Sequence, residues 1–280
     1  MLKIWICGAN GQIGRAINDV LDPLAFEVFN TDKGEVDITS IEEVMSFGEV
    51  NRPDVIVNCA GVTHIDVCEE NPKLAFRVNA IGARNLAIIA AKLNCKLVQM
   101  SSDDVFDGRS MDPYTEFDRT NPITVYGESK LAGENYVKEF TYKHFIIRST
   151  WVYGKGENFV ESFLAKAEEG DTLAVAADQF GSPTSANELA RFILHMITTN
   201  EYGTYHATCN GTCSRYAFAK EILALSGKNV KLKAVPIKES DFTAVRPAYA
   251  VLDNFIMSTI EVYDFPDWKE ALADYMKKHK

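Results

Sequence analysis

The chain has 280 residues, 46% of them hydrophobic and 24% charged, which suits a soluble globular protein built as one large α/β domain or as one carrying a smaller lobe. Its net charge of −10 leaves no basic surplus to neutralise a phosphate backbone, so a general nucleic-acid binder is excluded while a local basic pocket for one small anion is not. No run approaches the ~20 apolar residues of a bilayer-spanning helix, and Lys3 leads straight into a strand-like run rather than a signal-peptide core, so no membrane partner is expected.

Leu2 to Cys7 is a short apolar run leading into Gly8-Ala-Asn-Gly-Gln-Ile-Gly14, and residues 12 to 21 read as a helix. Strand, glycine loop and helix in that order let backbone N–H groups and a helix amino terminus receive a pyrophosphate. Gly8, Asn10, Gly11, Gln12, Ile13 and Gly14 are therefore candidate cofactor contacts. A second strand, about 26 to 31, ends at Asp32, eighteen residues beyond Gly14. A carboxylate there can accept hydrogen bonds from an adenosine ribose and disfavours a 2′-phosphate, although Lys33 next to it softens that preference. Asp37 and Ile38 follow; Asp37 reads equally as an adenine-side contact or as the start of a capping segment.

Pro53 to Asn58 has the continuous apolar pattern of a strand buried in a parallel sheet. It runs into Cys59-Ala-Gly-Val-Thr63, where small Ala60 and Gly61, with Thr63, permit close approach of a dinucleotide. Residues 72 to 94 read as helix, with Asn79 facing back towards the strand ends. Lys96 to Met100 is the next strand, placing Ser101, Ser102 and Asp103 at its carboxyl end, the edge where doubly wound sheets bind ligands.

Thr124 to Glu134 is the stretch around which the chemistry gathers. Tyr126 and Lys130 are four residues apart, neighbours across one turn of a helix. A lysine ammonium beside a phenol favours phenolate and draws its pKa down from about 10 towards the working range. Such a pair could protonate a carbonyl oxygen while hydride arrives at its carbon. Tyr216 and Lys220 repeat the spacing without the serines or the glycine loop, and read as a plain helix face.

Beyond a strand at 144 to 148 the βα rhythm loosens. Helices are expected at 158 to 169, 186 to 199, 216 to 226 and 267 to 278, with a strand at 202 to 207. Six cysteines, at 7, 59, 68, 95, 209 and 213, match neither a disulfide framework nor paired zinc spacing, and a reduced cytoplasm is the expected compartment. Cys209 and Cys213 could meet as a disulfide or a metal pair, or be two ordinary buried thiols.

Gly8 to Gly14, Val36 to Thr39, Asn58 to Thr63, Ser101-Ser-Asp, Val105 to Gly108, Tyr126-Gly-Glu-Ser-Lys130, Arg148-Ser-Thr-Trp-Val-Tyr153, Asp178-Gln-Phe-Gly-Ser-Pro-Thr184 and Arg246-Pro247 occur in one order. In that order the chain resembles the dTDP-4-dehydrorhamnose reductases, over nearly its whole length. The GxxGxxG spacing is shared with extended short-chain dehydrogenases generally; the segments 148 to 153 and 178 to 184 are more specific.

The resemblance implies a Rossmann-type doubly wound parallel sheet with a smaller, discontinuous substrate-binding lobe. Residues 1 to 150 would mainly hold NADH or NADPH, and 151 to 280 mainly the substrate, with some segments returning to the first domain. The implied reaction reduces the 4-keto group of dTDP-4-dehydro-L-rhamnose. Tyr126 would donate the proton, Lys130 would hold the nicotinamide ribose and tune Tyr126, and Ser102 would stand where the family has threonine. Asp103, Trp151, Arg246 and the apolar Ile65 fall at substrate-side positions.

Two departures touch the sugar end. The family's usual tyrosine after the Ser/Thr-Asp pair is Asp104, a carboxylate that would repel a diphosphate unless paired or turned away, and a common serine is Ala250. Another nucleotide-sugar reductase, an epimerase or dehydratase of the same fold, and a non-catalytic cofactor-binding regulatory subunit are the competing readings. No metal is expected, because Ala16 stands where some relatives carry a ligating glutamate and Glu188 alone cannot replace the set. A monomer or weak homodimer follows from that.

Overall fold

The computed structural model describes residues 1–170, 172–239 and 245–278. The first half supplies Leu2–Cys7 (β1), Phe26–Thr31 (β2), Val55–Asn58 (β3), Lys96–Ser102 (β4) and His144–Ser149 (β5). The second half adds Val152–Tyr153 (β6), Thr172–Ala176 (β7), Phe180–Gly181 (β8), Thr184–Ser185 (β9), Gly203–His206 (β10), Cys213–Ser214 (β11), Lys231–Val235 (β12) and Tyr249–Ala250 (β13). The main sheet runs in the order β10-β5-β4-β3-β1-β2, with every neighbouring pair parallel. Its strand order reverses between β1 and β3, the crevice at which open α/β sheets bind ligands.

Strand alternation decides what packs on each face. Ile4, Ile6, Val55, Val57, Phe145 and Ile147 point to one side. There they meet Gln12–Val20 (α1), through Ala16 and Ile17, and residues of the second half. Trp5, Cys7, Ile56, Leu97 and Ile146 point to the other. There Ile41–Asn51 (α2) contributes Val44 to the same core. Both faces are covered, as a parallel sheet requires.

Between β3 and β4 run Ile65–Glu70 (α3), Pro72–Phe76 (α4) and Ala83–Leu93 (α5). The expected single helix over 72 to 94 is interrupted by a π-helical turn, Arg77–Gly82. The whole stretch Pro72–Leu93 is long and apolar enough to cross a membrane by length and composition, which the reading of apolar runs did not register. Here its apolar side, Leu86, Ala87, Ile89 and Ala90, is core packed on the sheet.

The remaining helices are Val125–Phe140 (α6), Phe159–Glu169 (α7), Ala186–Met196 (α8), Arg215–Ser226 (α9), Phe255–Thr259 (α10) and Trp268–Lys278 (α11). Helix α8 stops short of the expected residue 199 because Thr198 and Thr199 turn their hydroxyls onto the carbonyls of His195 and Met196. It packs against α1. Strand β10 extends the main sheet beside β5, while β11-β8-β13, β12-β7 and β6-β9 form small separate sheets. All six cysteines are free, Cys209 and Cys213 included, and burial pushes both of those thiols up to about 12.

Candidate active site

The glycine loop sits over the carboxyl ends of β1 and β3. Gly8 has φ +76°, and a Cβ there would lie 2.7 Å from the Ala60 nitrogen, so neither the conformation nor the space admits a side chain. Asn10 donates its backbone N–H to Asp32 Oδ2 at 2.9 Å, fixing the carboxylate at the end of β2. A cavity of about 450 Å³ opens there, lined by Gly8, Gly11, Asp32, Asp37, Ile38, Ala60 and Gly61. Asp37 lines this cleft and accepts the Thr39 N–H at 2.9 Å, which holds its carboxyl below the usual range. The cap of α2 itself is Ser40. Asn10 and Gly14 do not line the cleft; Gly14 is buried against the Gly8 carbonyl, where a Cβ would stand 2.5 Å away. Lys33 and Arg77 complete the wall, and Arg77 was not anticipated. It belongs to the π turn, whose register periodicity alone does not reveal.

Helix α6 starts where Thr124 Oγ1 accepts the Gly127 N–H at 2.9 Å, which makes Tyr126 its second residue and places Lys130 one turn on. Gly127 lets this start press against the end of β4: a Cβ would lie 2.0 Å from the Asp104 carbonyl oxygen. Asn79, carried on the π turn, clamps the site from behind. Its amide oxygen accepts the Val62 N–H at 2.9 Å, and its amide nitrogen donates to Ser129 Oγ, also at 2.9 Å. Deeper in α6, fully buried Glu134 accepts two bonds from Arg148, at 2.8 and 2.7 Å, and a third from Ser101 at 2.6 Å.

Tyr126, Lys130 and Ser102 meet in a second cavity of about 440 Å³, which shares Gly11, Cys59, Ala60 and Gly61 with the first. Gln12, Ile13, Thr63, Ile65, Asp103, Trp151 and Arg246 line it as well, so every anticipated substrate-side residue reaches one space. Ser102 donates to Asp103 Oδ1 at 2.9 Å and hydrogen-bonds Tyr126. Arg246 is held by Asp66 at 2.9 Å.

The electrostatics differ from expectation at Tyr126. Burial first, then the carboxyls of Asp104 and Asp103, push its phenol well above its ordinary value despite the hydrogen bond it shares with Ser102. The expected downward pull of Lys130 does not prevail, since burial has itself lowered that ammonium to about 8, with Glu134 acting against the fall. A phenol so placed keeps its proton. Asp104 resolves differently from either alternative posed for it. It is neither turned away nor, among the described residues, joined in an ion pair, but buried in the wall, where desolvation and then Asp103 raise its carboxyl far above the usual range against the pull of Arg246.

Arg215 and Gln179 line the same cavity. Arg215 was missed altogether, because nothing local marks the first residue of α9 as facing a cleft formed by β4 and β5. The Arg215 guanidinium lies 3.5 Å from the centre of the Trp151 ring, and Trp151 has φ +46°. Seven buried side-chain polar atoms have no hydrogen-bond partner among the described residues. Five of them, on Gln12, Asp104, Ser149, Gln179 and Arg215, belong to residues lining this cavity. Buried groups left open are costly, and their concentration marks a space shaped for a polar ligand. No three His, Cys, Asp or Glu side chains gather as metal ligands among the described residues; Ala16 is buried and Glu188 pairs with Arg191 at 3.4 Å.

Known proteins match this arrangement end to end. The profile of the RmlD substrate binding domain family covers residues 2–280. The spore coat polysaccharide biosynthesis protein SpsK of Bacillus subtilis is 36% identical over 280 residues, covering 99% of this chain and 98% of its own length. The crystal structure of a dTDP-4-dehydrorhamnose reductase from Clostridium acetobutylicum superposes with a TM-score of 0.98 at 43% identity, over 99% of both chains. That of the Bacillus anthracis dTDP-4-dehydrorhamnose reductase in complex with NADP gives 0.97 at 38% identity, over 100% of both. With its glycine loop, its Tyr126–Lys130 helix and its full-length match, this chain belongs to the dTDP-4-dehydrorhamnose reductase family.

Proposed function

We propose that this protein reduces the 4-keto group of dTDP-4-dehydro-L-rhamnose to dTDP-L-rhamnose with NADPH or NADH. The observation that carries the reading is the shared cavity: Tyr126, Lys130 and Ser102 in one space, continuous with the glycine-loop cleft and rich in unpartnered polar groups. The glycine cradle fits a dinucleotide, since Gly8, Gly11 and Gly61 line it with bare backbone and Gly8 has no room for a Cβ.

A bound nicotinamide supplies the hydride. The chain's own part is to hold the sugar and deliver the proton. Tyr126 keeps its proton on Oη because burial and its acidic neighbours disfavour phenolate. It releases that proton only as charge develops on the carbonyl oxygen, which is where a general acid acts. Ser102 orients the phenol by the hydrogen bond they share. Lys130, buried and held behind Tyr126 on α6, stabilises the phenolate left after transfer and binds the cofactor ribose. Asp103, Trp151, Ile65 and Arg246 form the sugar side. In this reading residues 1–150 mainly carry the cofactor and 151–280 mainly the substrate, and no metal takes part.

The test is consumption of reduced nicotinamide with the keto-sugar nucleotide, and product identification by NMR. Stoichiometric oxidation with formation of the 4-hydroxy sugar is expected, unchanged by EDTA. Epimerised sugar without net oxidation, or no turnover at all, refutes the reading.

A further inference from the structure

Arg215 occupies a place that helix energetics disfavour. It is the first residue of α9, whose first turn carries no acidic residue, and a cation there opposes the positive end of the helix dipole. Its guanidinium is nonetheless held flat. It lies 3.5 Å from the Trp151 ring centre and 4.6 Å from that of Phe159, and its backbone N–H is tied to the Gln179 carbonyl at 2.9 Å. The Trp151 ring is backed by Gly181, where a Cβ would come within 2.6 Å of the indole.

Arg215 Nε is buried without a hydrogen-bond partner, and no carboxylate lies within 4 Å among the described residues. Asp103, the acidic group facing it across the cavity, is itself raised by burial and shares its open bonds with Ser102. Burial lowers the guanidinium to about 9, which still leaves it charged at neutral pH. A desolvated cation, preorganised on two rings and short of an acceptor, is matched by an oxyanion. Resting on the sugar-nucleotide reading, the oxyanion available is the diphosphate, where such a ligand carries its formal charge.

We propose that Arg215 is a substrate-binding residue that takes a diphosphate oxygen of the sugar nucleotide, with Trp151 and Phe159 as the platform that orients its guanidinium.

The experiment uses the NADP⁺-saturated protein, with calorimetric titration of dTDP and NMR titration of thymidine, for wild type, Arg215→Met and Arg215→Lys. Arg215→Met is expected to weaken dTDP by about 10- to 100-fold, the worth of a charge-assisted contact. Thymidine and NADP⁺ affinities should stay within about twofold, because neither meets the guanidinium. Arg215→Lys, which keeps a charge and loses the planar fork, should fall between. If Arg215→Met fails to hold NADP⁺, Arg215→Lys decides alone. Binding of dTDP at wild-type strength overturns the proposal, as does an equal loss for thymidine, which would mean that Arg215 only braces Trp151. Absence of dTDP binding in the wild type overturns it too. Because these are equilibrium measurements, a wild type that binds dTDP but does not reduce the sugar refutes the activity and leaves Arg215 in place.

Discussion

The two clefts of this protein are built in different ways. The glycine-loop cleft, proposed to take the adenosine side of the cofactor, draws its wall from residues 7 to 78, most of them within a few positions of a glycine or a strand end. The chemical cavity draws on the loop after β1, the ends of β3, β4 and β5, the start of α6, Gln179 just before β8, the first residue of α9 and the segment around Arg246. The first is the more local device: the consecutive units from β1 to the helical stretch after β3 build it, and the small residues are needed where they stand in the chain. The second exists only when distant elements dock. Its polar groups are consequently held by tertiary contacts such as Arg246 on Asp66 and Asn79 on Ser129.

Substitution separates the two. The largest effect should come from Tyr126→Phe, with kcat reduced by about 10²- to 10⁴-fold, the contribution of one general acid. NADP⁺ affinity should barely change, because the lost hydroxyl acts in the transition state of the other cavity. Near-normal turnover would remove Tyr126 from the mechanism, and Tyr216→Phe on α9 serves as the silent control.

Next is the support beneath the chemical cavity. Glu134→Gln leaves Arg148 charged, buried and without its carboxylate, which should cost about 3–5 kcal/mol of unfolding free energy in denaturant titration. Glu128→Gln, exposed on the same helix, should stay within about 0.5 kcal/mol. Equal effects would mean that the buried pair does not anchor α6.

The adenosine cleft should answer more gently. On the proposed reading Asp32 would favour NADH, while Lys33 and Arg77 in the same wall would favour a 2′-phosphate. Asp32→Ala should move the NADPH/NADH ratio of kcat/KM up by about 2- to 10-fold, and Arg77→Ala should move it down by a similar factor, as partly screened single charges do. Failure of either ratio to move would take that side chain away from the ribose.

The smallest effect concerns pH. Asp104 has a raised carboxyl in the fold, so its contribution to stability is full below the ordinary carboxylate range and is lost as pH rises through the higher folded value. Asp103, Arg246, Ser102, Thr124 and Tyr126 surround it; among these Asp103 adds to the rise and Arg246 opposes it. Thermal stability should therefore drop between about pH 5 and pH 9 by less in Asp104→Asn than in the wild type. Parallel curves would show that Asp104 ionises normally.

Composition, the glycine loop, the strand patterns and the Tyr126–Lys130 spacing were sufficient for the parallel sheet and for the grouping of Ser102 with Tyr126 and Lys130, each a short-range consequence of backbone geometry. Ile65, Trp151 and Arg246 came instead from the family resemblance. Helix periodicity likewise placed α6 and α9, while the serines and the glycine loop, not the spacing, set the Tyr126–Lys130 pair apart from Tyr216–Lys220. Tertiary structure alone decided the rest. It set the π turn that brings Arg77 to the site, the rise rather than fall of the Tyr126 phenol, the rise of the Asp104 carboxyl, and the turning of Arg215 onto Trp151. Each depends on burial and on charges brought close by residues far away in the chain. A side chain's desolvation is a property of everything packed around it, and no local pattern records that sum.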